Sequence, residues 1–228
     1  MEDISLAGDE VLVILARRHL AGNMRLQRLS PEEIARYHAY VLEADRQRHL
    51  LAHGLKRQLL ARFTDAAPET LQFRTGHAGK PALSCEEIHF NLSHSGDWVA
   101  LAFSAGHAVG IDVEQARNLE YQNLLTLIAH PQDDPLFAHE SPVQAFLSNW
   151  SMKEAVTKCL GLGLSMPFTS LWLNHGGNAD FTCTGKDGTW HGKHFIRDDT
   201  HIAVAVPGIR GDTRFRMMEI GQACLRRL

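Results

Sequence analysis

The stretch EIHFNLSHSGDWVALAFSAGHAVGIDVEQ, residues 87–115, decides how this chain is organised. EIHFNLS and WVALAFS read as two strands joined by HSGD, a turn sequence, so together they form a hairpin. AGHA makes a second turn into VGIDVE, which reads as another buried strand. We place the seam between two halves at this point, with one lobe over residues 1–106 and the other over 107–228.

Reading outward from the seam, each half offers the same order of elements. EVLVILA (residues 10–16) is a strand, and the segment that follows, residues 29–63, opens as a helix. Ser30 is suited to the N-cap, Pro31 to the first helical position and Glu33 to the reciprocal bond of a capping box. Leu50, Leu51, Leu55, Leu59 and Leu60 continue at helical spacing. Beyond the seam, residues 118–130 and 142–160 return to helical spacing. SLWLNH, ADFTCTG, TWHGKHFIR and HIAVAVPG then read as strands and hairpins. Strand, helices, strands occurs twice, so the expected fold is α+β: two pseudosymmetric lobes, packed tightly because no linker-like segment separates them.

Composition excludes some classes. The formal charge is −3, so there is no global basic surface for nucleic acid, and any anion site must be assembled from a few side chains. No run approaches the ~20 apolar residues that span a bilayer, and the acidic start lacks a signal-peptide core. Cys85, Cys159, Cys183 and Cys224 are scattered without metal-ligand spacing, which suits free thiols in a cytoplasmic protein.

Three segments could carry chemistry. In VGIDVEQ, Asp112 and Glu114 lie two apart on a strand and project from one face, while Ile111 and Val113 point into packing. Adjacent like charges repel unless a cation lies between them, which points to Mg²⁺ and its oxygen ligands; an exposed strand end with solvated acids is the other reading. In WSMKEAVTKCLGLGL, Trp150, Glu154 and Lys158 share one helix face. They read either as a surface pair or as a third metal ligand beside a phosphate-binding lysine. Gly161 and Gly163 then end the helix. In FNLSHSGDW, Ser93 and His94 close a strand at a tight turn, as turn polarity or as anion ligands. Lys80, in GKP, is likewise a lysine presented on a rigid turn.

Taken in order, GKP, FNLSHSGDW, GIDVE and WSMKEAVTKCLGLGLSMP resemble the larger, surfactin-synthetase-type 4′-phosphopantetheinyl transferases, with the match spanning residues 79–166. The resemblance implies a chain that moves the phosphopantetheine arm of coenzyme A to a serine of an acyl, peptidyl or aryl carrier protein, releasing 3′,5′-ADP. It implies two α+β lobes with coenzyme A in the cleft between them and a monomeric enzyme. By similarity Asp112, Glu114 and Glu154 hold Mg²⁺, Glu154 is the base for the carrier serine, and Lys158 contacts phosphate. Ser93, His94 and Lys80 are then coenzyme A ligands, and Trp150 packs the helix. Family members often carry two basic residues early in the first long helix. Here those positions fall at Glu33 and Arg36, so Arg36 is the remaining candidate for the 3′-phosphate, with Arg48 or His49 as compensating cations. A degenerate homologue that binds coenzyme A or a carrier without catalysis is the alternative; the presence of all three acids and Lys158 argues against it.

Overall fold

The apolar runs that flank the seam are buried on both faces, and a computed structural model shows why. It describes residues 4–76, 79–84, 88–117, 120–134, 141–208 and 213–225. The first half contributes β1 (Glu10–Arg17), α1 (Pro31–Ala39), α2 (Glu43–Thr64), β2 (Phe73–Thr75), β3 (Pro81–Leu83), β4 (His89–Ser95) and β5 (Trp98–Ser104). The second contributes β6 (Gly110–Gln115), α3 (Tyr121–Ile128), α4 (Pro142–Leu160), β7 (Trp172–Gly177), β8 (Asp180–Gly185), β9 (Gly188–Arg197) and β10 (Thr200–Pro207). β11 (Arg214–Ile220) and the short α5 (Gln222–Leu225) end the described chain.

The two sheets repeat one topology. In the first the order is β11-β1-β5-β4, and in the second β6-β10-β9-β8-β7. In each, the opening strand pairs antiparallel with the last hairpin strand: Ile14 lies opposite Leu101, and Asp112 opposite Ala203. A long helix covers one face of each sheet. The alternation of side chains along a strand then divides the core. Leu12, Ile14, Ala16, Leu101 and Phe103 face Leu51, Leu55 and Leu59 of α2. Val11, Val13, Leu15, Ala100 and Ala102 meet Ile111, Val113, Ile202 and Val204, so the sheets pack against each other. Met152, Ala155 and Val156 of α4 cover the far side of the second sheet at Ala203 and Ala205. The layers run helix, sheet, sheet, helix. Ile111 and Val113 point into the sheet–sheet core, which sends Asp112 and Glu114 to the opposite face, under α4.

Two details depart from the sequence reading. The helix expected over 29–63 is two helices, broken at Tyr40–Leu42, with Val41 88% exposed at the elbow. The capping box at Ser30 and Glu33 is present as expected. The last strand, β11, was not foreseen. It runs parallel to β1 from Glu10↔Arg214 to Ala16↔Ile220, so residues 214–220 complete the first sheet although they follow the second half in the chain. Cys159, Cys183 and Cys224 are free thiols, while Cys85 lies outside the described residues. Among the described residues no helix is long and apolar enough to cross a membrane.

Candidate active site

The edge of the first sheet meets the edge of the second through side chains. Alternate residues of β4 accept from alternate backbone N–H groups of β6. Ile111 N donates to Asn91 Oδ1 (2.9 Å), Val113 N to Ser93 Oγ (3.3 Å) and Gln115 N to Ser95 Oγ (3.1 Å). This small polar ladder replaces the main-chain bonds a continuous sheet would use and satisfies N–H groups that are otherwise buried. It explains the alternation N-x-S-x-S in FNLSHS. Sequence reasoning singled out Ser93 and passed over Asn91 and Ser95; the period-two spacing of small polar residues inside an apolar strand was the available signal.

The ladder fixes where the acids stand. Ser93 Oγ also donates to Asp112 Oδ1 (3.0 Å), and Ser95 Oγ to Glu114 Oε2 (3.4 Å). From α4, Lys158 Nζ donates to Asp112 Oδ1 at 2.6 Å and to Ser93 Oγ at 3.0 Å, and lies 4.0 Å from Glu154 Oε2. Lys158 and Glu154 project together because they are one helical turn apart. The helix can come this close because residue 110 is glycine: a Cβ there would stand 1.9 Å from the Ala155 carbonyl oxygen. At the far end Gly161, with φ of 73°, takes the left-handed cap, as the sequence predicted.

Electrostatics follow from this crowding. Burial and the neighbouring Asp112 charge push the Glu114 carboxyl up to about 7, against the pull of Arg117, Lys158 and a hydrogen bond from Trp150. Burial likewise raises Glu154, with Lys158 opposing it and Asp112 adding to it. For Lys158, burial alone would lower the pKa, but Asp112 foremost, then Glu154 and Glu114, hold it above the ordinary lysine value. Asp112 is 2% exposed, and its Oδ2 is a buried oxygen with no hydrogen-bond partner.

The three acids therefore surround one lysine. Among the described residues no three His, Cys, Asp or Glu side chains are gathered as a ready metal-ligand set; the Lys158 ammonium takes the position on Asp112 Oδ1. The donor chemistry nonetheless fits a hard dication: three carboxylates, one with an orphaned oxygen and one whose pKa burial and a neighbouring carboxylate raise.

The remaining predicted residues fall on two sides. His94 faces α2, and burial foremost, then the charge of Arg48 and smaller effects of Lys158 and His49, lowers its pKa. Arg48 donates to the Gly96 carbonyl (2.8 Å), which pins α2 to the β4–β5 turn. Arg36 is exposed on the last turn of α1, with Tyr40 Oη as a neighbour at 3.4 Å, and its charge reaches His49. Lys80 is differently engaged: its ammonium donates to the carbonyls of Val109 (2.9 Å) and Cys159 (3.2 Å), tying the first half to the start of β6 and the end of α4. Glu33 does more than cap. It pairs with Lys56, with Arg57 at 2.6 Å and with His53 at 3.0 Å, which fastens α1 to α2. Trp150 both packs, against Phe146 and Phe168, and hydrogen-bonds Glu114. Beside it lies a cavity of about 240 Å³ whose lining runs from Glu114 through Tyr121, Leu124, Phe146 and Trp150.

These features define a two-lobed α+β framework with a carboxylate–lysine centre at the junction of its sheets, and comparison with known proteins gives it a family. Residues 108–206 match the family model described as the 4′-phosphopantetheinyl transferase superfamily, and residues 21–106 match the N-terminal 4′-phosphopantetheinyl transferase model. The chain belongs to the 4′-phosphopantetheinyl transferase superfamily. It is 32% identical over 155 residues to the 4′-phosphopantetheinyl transferase gsp of Aneurinibacillus migulanus, covering 67% of this chain and 64% of that protein. It is also 32% identical over 145 residues to the transferase Sfp of Bacillus subtilis strain 168, covering 62% of this chain and 64% of the relative. A putative 4′-phosphopantetheinyl transferase of Haemophilus influenzae is 34% identical over 146 residues, covering 59% and 62%. In all three cases the match spans less than two thirds of the relative's length.

Proposed function

We propose that this chain transfers the 4′-phosphopantetheine arm of coenzyme A to a serine hydroxyl of an apo carrier protein and releases 3′,5′-ADP. The observation that carries the reading is the charge layout at the sheet junction. Asp112, Glu114 and Glu154 crowd round Lys158 on the β6–α4 side, and Arg36, Arg48, His49 and His94 gather on the α1–α2 side. A carboxylate group facing the guanidinium groups of Arg36 and Arg48 and the hydrogen-bonding rings of His49 and His94 suits a pyrophosphate held through a dication. Mg²⁺, bound by Asp112, Glu114 and Glu154, would supply Lewis-acid neutralisation of charge on the leaving ADP.

The chain's own residues do the rest. Glu154, its pKa raised by burial, takes the serine proton as the serine oxygen attacks phosphorus and the bond to ADP breaks. Lys158 orients the phosphate and is held in place by Asp112 and Ser93. His94 and Arg36 offer further phosphate contacts, while Lys80 acts through the backbone it braces. The apolar cavity next to Glu114 would accept the pantetheine arm, whose methyl and methylene groups suit Tyr121, Phe146 and Trp150. The lobes so used divide at residues 106/107, apart from β11, and the chain acts as a monomer. Buried reduced thiols and a coenzyme A substrate suit a cytoplasmic setting.

The test is direct. The protein is incubated with coenzyme A, Mg²⁺ and a panel of apo carrier proteins from fatty-acid, polyketide and peptide synthesis. A mass increase of one phosphopantetheine arm is expected, lost with EDTA and with Asp112→Ala. Coenzyme A binding without transfer to any carrier refutes the catalytic reading.

A further inference from the structure

Asp133 sits at a node that the proposed chemistry does not touch. Its Oδ2 accepts from His130 N (2.7 Å), Asn149 Nδ2 (3.1 Å) and Lys153 Nζ (3.0 Å), and its Oδ1 from Leu173 N (2.8 Å). Lys153 is fully buried, and its ammonium also donates to the Ile128 carbonyl at 2.8 Å. One carboxylate and one ammonium thus join the end of α3, the loop behind it, the edge strand β7 and the middle of α4.

The position of this node on α4 gives it a consequence for the site. Asn149 and Lys153 share one face of the helix, and Trp150, Glu154 and Lys158 share the next, about 100° round. The first face is bound to Asp133; the second meets Asp112 and Glu114. With side-chain ends about 6 Å from the helix axis, a 10° roll of α4 moves the Glu154 carboxylate by about 1 Å. Such an error in a reacting group costs up to ~100-fold in rate. The same node fixes the end of α3, whose Tyr121 and Leu124 line the apolar cavity.

We propose that Lys153 and Asp133 are positioning residues that set the roll of α4, and so the aim of Glu154 and Lys158. This rests on the transferase reading above, in which Glu154 is the base. The structural alternative is that the pair serves stability alone. The two differ in what a folded variant loses.

Lys153→Met keeps the length of the side chain and removes its ammonium; Lys153→Arg keeps a charged donor. For Lys153→Met, folded by circular dichroism, kcat should fall ~30–100-fold while the KM for coenzyme A stays within about threefold. Lys153→Arg should recover most of the loss. A crystal structure of Lys153→Met should show Lys158 Nζ drawn beyond hydrogen-bond distance of Asp112 Oδ1. A folded Lys153→Met with kcat within twofold of wild type overturns the proposal, as does a loss confined to KM. If Lys153→Met does not fold, Asp133→Asn, which keeps the acceptor for Leu173 N, is read by the same criteria. If the unaltered protein modifies no carrier, the transferase reading fails instead. The crystal structure then still decides the positioning claim, and an unmoved Lys158–Asp112 contact refutes it.

Discussion

Gly110→Ala adds one methyl group at the point where β6 passes under α4. Its Cβ would stand 1.9 Å from the Ala155 carbonyl oxygen and 2.4 Å from the Cys159 backbone nitrogen, both of them main-chain atoms that no rotamer change can move aside. Real Cβ contacts do not fall below 3.0 Å, so helix and strand must part by more than 1 Å. Overpacking of this kind costs about 1–3 kcal/mol. For a chain of this size that lowers the Tm by roughly 2–12 °C. The larger effect is on chemistry, because Glu154 and Lys158 ride on the displaced helix. A shift of about 1 Å at a reacting group lowers the rate by up to ~100-fold. Thermal unfolding and carrier modification, measured on the same preparation, check both parts. A variant that melts within about 1 °C of the parent and modifies carrier at an unchanged rate refutes the close-approach argument.

Other expectations follow from the same geometry. Ser93→Ala removes the acceptor of Val113 N and a partner of both Asp112 and Lys158; a loss of about 1–3 kcal/mol in urea stability and a fall in kcat are expected, and unchanged values in both would show that the ladder is dispensable. Glu33→Ala leaves Lys56 and Arg57 buried without their carboxylate, so stability should drop by about 3–5 kcal/mol; a loss below about 1 kcal/mol contradicts the role given to Glu33 as the fastening of α1. Glu114 is raised to about 7 from an ordinary 4.5, so the folded metal-free protein holds a proton there that the unfolded chain has released. Stability in EDTA should therefore fall as pH rises from about 4.5 to 7, by at most about 3 kcal/mol, with Glu114→Gln flattening that slope. A slope unchanged by the substitution assigns the titration elsewhere.

How legible was all this in the letters? Runs such as EVLVILA and WVALAFS announce strands because both their faces are buried, one against a helix and one against the other sheet. Ser30, Pro31 and Glu33 announce a helix start because capping chemistry is local. The break at Tyr40–Leu42 was hidden, since no proline or glycine marks it and α2 begins without a side-chain cap. β11, RFRMMEI, was hidden for another reason: as an edge strand it is exposed along much of its length, so it lacks the apolar run by which the inner strands were found. Asp112, Glu114, Glu154 and Lys158, singled out by residue type and order, do lie together, because carboxylate spacing on a strand and i, i+4 spacing on a helix survive in sequence. What the order of letters does not hold is pairing between distant segments. The hydrogen bonds from Lys80 to the distant Val109 and Cys159 carbonyls left no mark in the letters GKP. Asn91 and Ser95 were passed over and are ladder rungs. Asp133 was missed because, apart from the turn bond from His130 N, its partners lie far off at Asn149, Lys153 and Leu173.

The parallel pairing of β1 with β11 bears on how the chain comes off the ribosome. Residues 10–17 are made before the whole second half, and their partner at 214–220 only after it. Until β11 has been made, β1 has β5 on one side and, among the described strands, no partner on the other. An apolar strand with one open edge, waiting through the synthesis of the whole second half, is a template for pairing with other nascent chains. Ribosome-bound fragments ending before residue 214 should therefore depend on chaperones more heavily than fragments that include β11. A stop codon in place of Arg214 should leave most of the proposed active-site residues in place and yet yield a protein prone to aggregate.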